Sequence, residues 1–318
     1  MATYKEIHGV KVQYRDSDAT VIEGDVWYNA SFGTLKMYSA AGAWATGGNM
    51  NVTAAARFGL GTATAGLAAG GYPFNANAET YDGSSWTEVG DINQPRSCAG
   101  CAGAGTQTAS LIAGGHEPGT SGKTEIYNGT SWTEVGDLSQ TRTGVDHRGT
   151  STAAIAAAGK SPGGTKHDNT EIWNGTAWTE VADLNDTKAM MGFFGTSTDA
   201  IAATGESPPV VTDVEQWDGS SWTEIANVNT ARQGTGSGGV DSTAGIIGGG
   251  HTTANVAVTE SWDGSSWTEV GDMIDARFEM ASAGTSTAAL IMGGDSPPSV
   301  NTTEEWAFAA SIETVAFD

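Results

Sequence analysis

The chain has 318 residues, 37 acidic against 14 basic, for a formal net charge of −23, together with 45 glycines and two cysteines. Such a charge repels phosphate backbones and anionic membrane surfaces, which argues against nucleic acid as a partner and against membrane insertion, and two cysteines cannot form a disulfide scaffold. No stretch approaches a membrane span, and the start, MATYKEIHGVKVQYRDSD, has no basic region ahead of an apolar run, which predicts a chain without a secretion signal.

In chain order, the segment Gly9 to Ala56 holds three stretches of strand length, GVKVQY, GDVWYN and TLKMYS, and then Trp44. From residue 57 the sequence repeats. YDGSSWTEVGD at Tyr81 returns in close variants at Tyr127, Trp173, Trp217 and Trp262, and the tryptophans Trp86, Trp132, Trp178, Trp222 and Trp267 are spaced 46, 46, 44 and 45 apart. Trp44 lies 42 before the first of them. The third copy shows one unit in full: TGVDHRG, STAAIAAAG, NTEIWNG and AWTEVADL, four strand-length segments separated by turn residues, with Asn-Gly or Asp-Gly closing a tight hairpin before each Trp. Four antiparallel strands per unit without a helical period predict an all-β fold, a β-propeller of four-stranded blades. Six units fit residues 57–95, 96–141, 142–187, 188–231, 232–276 and 277–318. Residues 1–56 read as an attachment segment carrying a divergent first blade, which favours seven blades, with six blades and an N-terminal hairpin cap as the alternative. In the last unit Ile312 stands where Trp is expected, and the Asp-Gly turn is missing.

The recurring positions read as structural. Trp44, Trp86, Trp132, Trp178, Trp222 and Trp267 are expected to pack blade on blade. The WTEV glutamates (Glu88, Glu134, Glu180, Glu224, Glu269) and the cations Arg96, Arg142, Lys188, Arg232 and Arg277 keep step with one another, which predicts ion pairs between blades. The segments after the glycine pairs differ in every unit, and they supply the candidate recognition residues His116, Glu117, Lys166, His167, Glu206, His251 and Asp295. Chemistry should break the repeat, and little does. Cys98 and Cys101 form a single CxxC with too few partners for zinc. SWDGSSW at Ser261 to Trp267 approaches the Asp box of sialidase propellers but lacks its spacing. No catalytic residue, metal ligand or cofactor is assigned.

The set Gly114-Gly115, Tyr127, Trp132 and Arg142, repeated in other units, resembles the kelch repeat of galactose-oxidase-type propellers, in which a double glycine ends the second strand and a Trp starts the fourth. In the third and fourth copies the pair becomes Gly159-Lys160 and Gly205-Glu206, which predicts a different local turn. The family includes copper radical oxidases, but no Tyr, Cys and His constellation of that kind stands out here. EGDVWYNASFGTLKMYSAAGAW, Glu23 to Trp44, resembles a hairpin module near the start of bacteriophage tail-fibre and other virion proteins, including those of marine phages. The resemblance implies a non-enzymatic virion protein, assembled in the host cytoplasm and then extracellular. It would be held to tail or capsid through its N-terminal region, as a homo-oligomer in the particle, with loops that meet a host-surface glycan or protein. The alternative is a propeller glycosidase or lyase acting on surface polysaccharide.

Overall fold

A computed structural model describes residues 13–15, 26–98, 101–207 and 209–314. They fall into two compact units, a large one spanning Trp44–Ala307 and a small one drawn from either side of it. In the small unit β1 (Gln13–Arg15) runs parallel to β2 (Val26–Asn29), and β2 pairs antiparallel with the start of β3 (Thr34–Thr46). The β2–β3 hairpin is closed by Asn29, whose side-chain oxygen accepts from Ser31 and Phe32 N–H and whose carbonyl accepts from Gly33. Gly33 takes φ +65°, a turn conformation open to glycine at little cost. Trp27 is fully buried.

The large unit is a ring of four-stranded antiparallel sheets. Blade 1 is β4 (Phe58–Thr62), β5 (Ala65–Ala69), β6 (Ala78–Tyr81) and β7 (Trp86–Val89). Blade 2 is β8 (Ala104–Thr106), β9 (Ala109–Ala113), β12 (Thr124–Tyr127) and β13 (Trp132–Glu134), with a small hairpin, β10 (His116–Glu117) and β11 (Gly119–Thr120), inserted. Blade 3 is β14 (Asp146–Thr150), β15 (Ala153–Ala157), β16 (Thr170–Trp173) and β17 (Trp178–Glu180). Blade 4 is β18 (Gly192–Thr196), β19 (Asp199–Ala203), β20 (Val214–Trp217) and β21 (Trp222–Glu224). Blade 5 is β22 (Gly236–Asp241), β23 (Ala244–Gly248), β24 (Thr259–Trp262) and β25 (Trp267–Glu269). Blade 6 is β26 (Ala281–Gly284), β27 (Ala288–Met292), β28 (Thr303–Thr314) and, as its fourth strand, β3.

The propeller therefore has six blades and not the seven that the sequence favoured. Trp44 keeps the repeat's register because it is the fourth-strand tryptophan of the last blade, supplied from the other end of the chain. Its ring lies 5.4 Å from Trp306, just as Trp86 lies 4.9 Å from Tyr81 and Trp222 5.4 Å from Trp217. The last unit lacks a Trp of its own at Ile312 because its chain never has to form a fourth strand.

Second strands are buried along nearly their whole length and are built of Ala, Ile and Leu, since both of their faces meet a neighbouring blade. Inner strands crowd the axis. At Gly149, φ +114°, a Cβ would lie 2.3 Å from the Ala153 carbonyl, so only glycine lets β14 turn into β15 there. Neighbouring blades are tied by the indole N–H groups: Trp44 donates to Thr259, Trp86 to Thr303, Trp178 to Thr124 and Trp222 to Thr170, at 2.9–3.0 Å. The Trp86 bond joins blade 1 to blade 6 and closes the ring.

Candidate binding surfaces

Each blade carries one buried ion pair. The six are Arg57–Glu79, Arg96–Glu125, Arg142–Glu171, Lys188–Glu215, Arg232–Glu260 and Arg277–Glu304, at 2.5–3.2 Å with both side chains at most 1 % exposed. The repeating cations are structural, but their partners differ from the expected ones. The acids lie on the third strand of the same blade, whereas WTEV glutamates such as Glu88, Glu134 and Glu180 sit on the edge strand and face solvent. Each buried carboxylate also holds the crossover that arrives from the preceding blade: Glu125 accepts from Asn93 and Gln94 N–H, Glu215 from Asn185, and Glu304 from Ile274 and Asp275. The sequence reading missed blade 1, where Ala54 occupies the position of Arg96 and Arg57, three residues on, delivers its guanidinium to Glu79.

The glycine pair is likewise structural. Gly114 and Gly115 take φ +67° and +109°, and Gly115 donates to the Arg142 carbonyl of the next blade. The expected change of turn in blades 3 and 4 does not occur. There the same left-handed pair is Ala158-Gly159 (φ +62°, +106°) and Thr204-Gly205 (φ +63°, +122°), and the glycines make the same bond, to Lys188 and Arg232. The residue after the pair is therefore Tyr72, His116, Lys160, Glu206, His251 or Asp295, one per blade.

These six residues lie on the end of the propeller that carries the second-to-third-strand loops and the crossovers, next to a chain of main-chain hydrogen bonds about the axis. In that chain Cys98 N–H donates to Ala56, Ala56 to Glu279, Glu279 to Gly234, Gly234 to Met190 and Met190 to Gly144. Lys160 and Lys166 both reach Glu206, at 2.9 and 3.2 Å. Burial raises the Glu206 pKa, and the two ammonium groups more than offset it, leaving the carboxyl below its ordinary value. A cavity of about 260 Å³ is lined by His116, Thr143, Lys160, Ser161 and Glu206 among others. The His116 ring stacks on the half-exposed Phe74 ring at 5.3 Å, and His251 packs on Phe278 at 5.2 Å. Of the candidate loop residues, His116, Lys166 and Glu206 thus converge. His251 and Asp295 belong to blades 5 and 6, where the Asp295 carbonyl accepts from Asn255. Glu117 pairs with Gly119 in the small hairpin, and His167 bridges to Lys188 at the blade 3–4 junction.

The opposite end carries the Asp-Gly and Asn-Gly turns, where Asp82, Asp218 and Asp263 accept the N–H and O–H groups of the two serines that follow in their own turns. At its centre a cavity of about 280 Å³ is lined by inner-strand residues of all six blades, including Leu60, Gly103, Gly149, Gly195, Val240 and Gly284. One break in the repeat faces it. Blade 3 reads Asp146-His147-Arg148 where the others have only Gly, Ala, Phe, Leu or Ser, a signal visible in TGVDHRG that the sequence reading did not use. Arg148 donates to Phe193 O (2.6 Å) and to Ser237 Oγ (2.8 Å). Asp146 accepts from Ala102 N–H, and desolvation pushes its pKa up to about 8; His147 on the other face is held neutral by burial, its pKa lowered to about 3. Cys98 and Cys101 are buried, lie in a loop and not on a strand, and are joined by a disulfide. Among the described residues no group of three or more His, Cys, Asp or Glu is placed to hold a metal ion.

No family model matches the sequence, and no curated protein matches it. Among solved structures the chain is similar to one titled "Structure of YjhT", with a TM-score of 0.71 at 13% identity, over 84% of this chain and 99% of that one. The likeness is one of fold, the β-propeller.

Proposed function

We propose that this protein is a non-enzymatic recognition propeller of a bacteriophage virion, kelch-like in its repeat. In this reading it is held to tail or capsid through its N-terminal region, oligomeric in the particle, and meets a host-surface glycan or protein through its second-to-third-strand loops. The observation that carries the reading is a constant frame under a varied rim: six equivalent ion pairs and six equivalent left-handed turns present Tyr72, His116, Lys160, Glu206, His251 and Asp295 at one end. A rigid scaffold that changes side chains only at one set of loops is how a fold serves recognition without altering its core. The virion assignment is supported by the resemblance of Glu23 to Trp44 to the hairpin module of virion proteins.

The test is antibody labelling of intact particles from a lysate, seen by electron microscopy, paired with binding of the purified chain to host cells. Label on tail fibres, baseplate or head, with cell binding weakened by Lys160→Ala and His116→Ala, is the expected result. Particles without label would overturn the virion reading. Steady release of reducing sugar from host polysaccharide, lost on changing Glu206, would replace it with the glycosidase or lyase.

A further inference from the structure

Of the basic side chains placed in the propeller, six are matched by a buried glutamate and Lys123, Lys160 and Lys166 reach a carboxylate at the surface, so Arg148 alone is satisfied by neutral oxygens. Its Nε and Nη2 are held by Phe193 O and by Ser237 O and Oγ, while Nη1 has only Gly103 O at 3.5 Å. A guanidinium has five N–H donors, so hydrogen-bonding capacity is left on the Nη1 side. No acidic residue lines the cavity that Arg148 faces. Asp146, on the same strand face, makes no ion pair with Arg148; it is fully buried, and burial favours its neutral form more strongly than Arg148 and the Ala102 N–H favour its anion. At the rim, Asp241 is turned onto its own turn, accepting from Thr243, and Asp199 accepts from Ser242. The result is a positive charge, 8 % exposed, in a channel of an otherwise strongly acidic protein.

The rest of the lining fixes the kind of guest. Main chain of Gly103, Gly149, Gly195 and Gly284 and the hydroxyl residues Thr150, Thr196 and Ser197 offer polar contacts all round, while Leu60 and Val240 add an apolar flank. At about 280 Å³ the space lies just under the range of about 300–1,000 Å³ usual for small-molecule sites, which suits a compact ligand. We propose that this channel binds a small organic acid of the sugar-acid type, its carboxylate seated on Arg148 and its hydroxyl groups on the glycine-lined walls. The site is on the opposite end from the varied loops and is independent of host recognition by them.

The experiment is isothermal titration of the full chain with galacturonate, with its methyl ester as the uncharged control and inorganic sulfate as the anion control. Galacturonate should bind saturably and the ester at least about tenfold more weakly, since the ester removes the charge-assisted bonds to Arg148. Arg148→Met should abolish binding. Because that change also releases Phe193 O and Ser237, Val240→Glu serves as a second variant, for Val240 is 58 % exposed at the rim. It should fold normally and weaken galacturonate at least about tenfold more than it weakens the ester. Equal binding of acid and ester, undiminished binding by folded Arg148→Met or Val240→Glu, binding of sulfate alone, or no binding by any probe would each overturn the proposal.

Discussion

The blade 3 ion pair allows a quantitative test of what the repeating cations do. Arg142 Nη2 lies 2.6 Å from Glu171 Oε1 with both side chains fully buried; the guanidinium also donates to Ala158 O (2.8 Å) and Asn169 O (2.7 Å), and Glu171 Oε2 accepts from Ser139 N–H (2.9 Å). Removing one partner strands a buried charge, at a cost of about 3–5 kcal/mol. For the Trp44–Ala307 unit, with an unfolding entropy of about 2 cal/mol/K per residue, that corresponds to a fall in Tm of about 5–9 °C. Arg142→Met and Glu171→Met should each show this loss in urea unfolding followed by tryptophan fluorescence. The double variant leaves main-chain groups unpartnered but no isolated charge, so it should be no less stable than the worse single variant, a coupling of at least about 3 kcal/mol. Costs that simply add in the double variant, or single variants within about 0.5 kcal/mol of the parent, the range of ordinary surface changes, would refute the pairing argument.

Lys188→Arg should stabilise blade 4 by about 0.5–1.5 kcal/mol, because a guanidinium can add a bond to main-chain oxygens equivalent to Ala158 O and Asn169 O that an ammonium at 2.9 Å from Glu215 does not make; urea midpoints check it. Trp44→Ala should cost about 3–5 kcal/mol, as much as Trp222→Ala, although Trp44 lies outside the contiguous repeat; calorimetry compares the two. In the exposed turns Asp82, Asp218 and Asp263 have pKa values lowered to about 2, Asp82 first by the Ser85 N–H and the others first by the hydroxyls of Ser220 and Ser265. A carboxyl whose folded pKa is lowered contributes stability above its unfolded pKa and loses it as pH falls, here between about 4 and 2. NMR titration should place these three near 2, while Asn128 and Asn174, which fill the same turn position, contribute no such acid loss. Asp146 has the opposite sign: its folded pKa of about 8 means that destabilisation grows as pH rises from about 4 to 8, so Asp146→Asn should gain stability over the parent at pH 8 and gain little at pH 4. A difference independent of pH would contradict it.

The period and the hairpin turns made the blade legible in the sequence because they are local: an Asx-Gly turn, an aromatic before it and a Trp after it specify a hairpin wherever they occur. Blade number was less legible. Trp44 sits in register, but register cannot distinguish a blade begun at the N terminus from one finished there. The ion pairs were half legible. Glu88 and Glu79 each lie two residues from a buried aromatic, and what separates them is that β7 is the blade's edge and β6 its interior, a property of the sheet and not of the segment. Arg57 escaped notice because it reaches the same carboxylate from three positions along. The loop residues were identifiable as variable, but that Lys160, Lys166 and Glu206 meet depends on the left-handed turn at Ala158-Gly159, where alanine stands in for the expected glycine. Arg148 was in plain view as a departure from the repeat, and it needed the ring to show that its departure points at the axis.

Because β3 completes the blade that begins at Ala281, the two strands that finish the ring are separated by most of synthesis. Blades 1 to 5 can each assemble as they leave the ribosome, since their four strands are contiguous, whereas Trp44 must wait for Trp306. During that interval the growing arc presents an unpaired strand at its leading end and β3 at its trailing end, the kind of exposed edge through which copies of a chain pair wrongly. Yield of native protein should therefore depend on how quickly the segment from Ala281 to Thr314 follows the rest. A pause in translation just before Ala281 would prolong the open state.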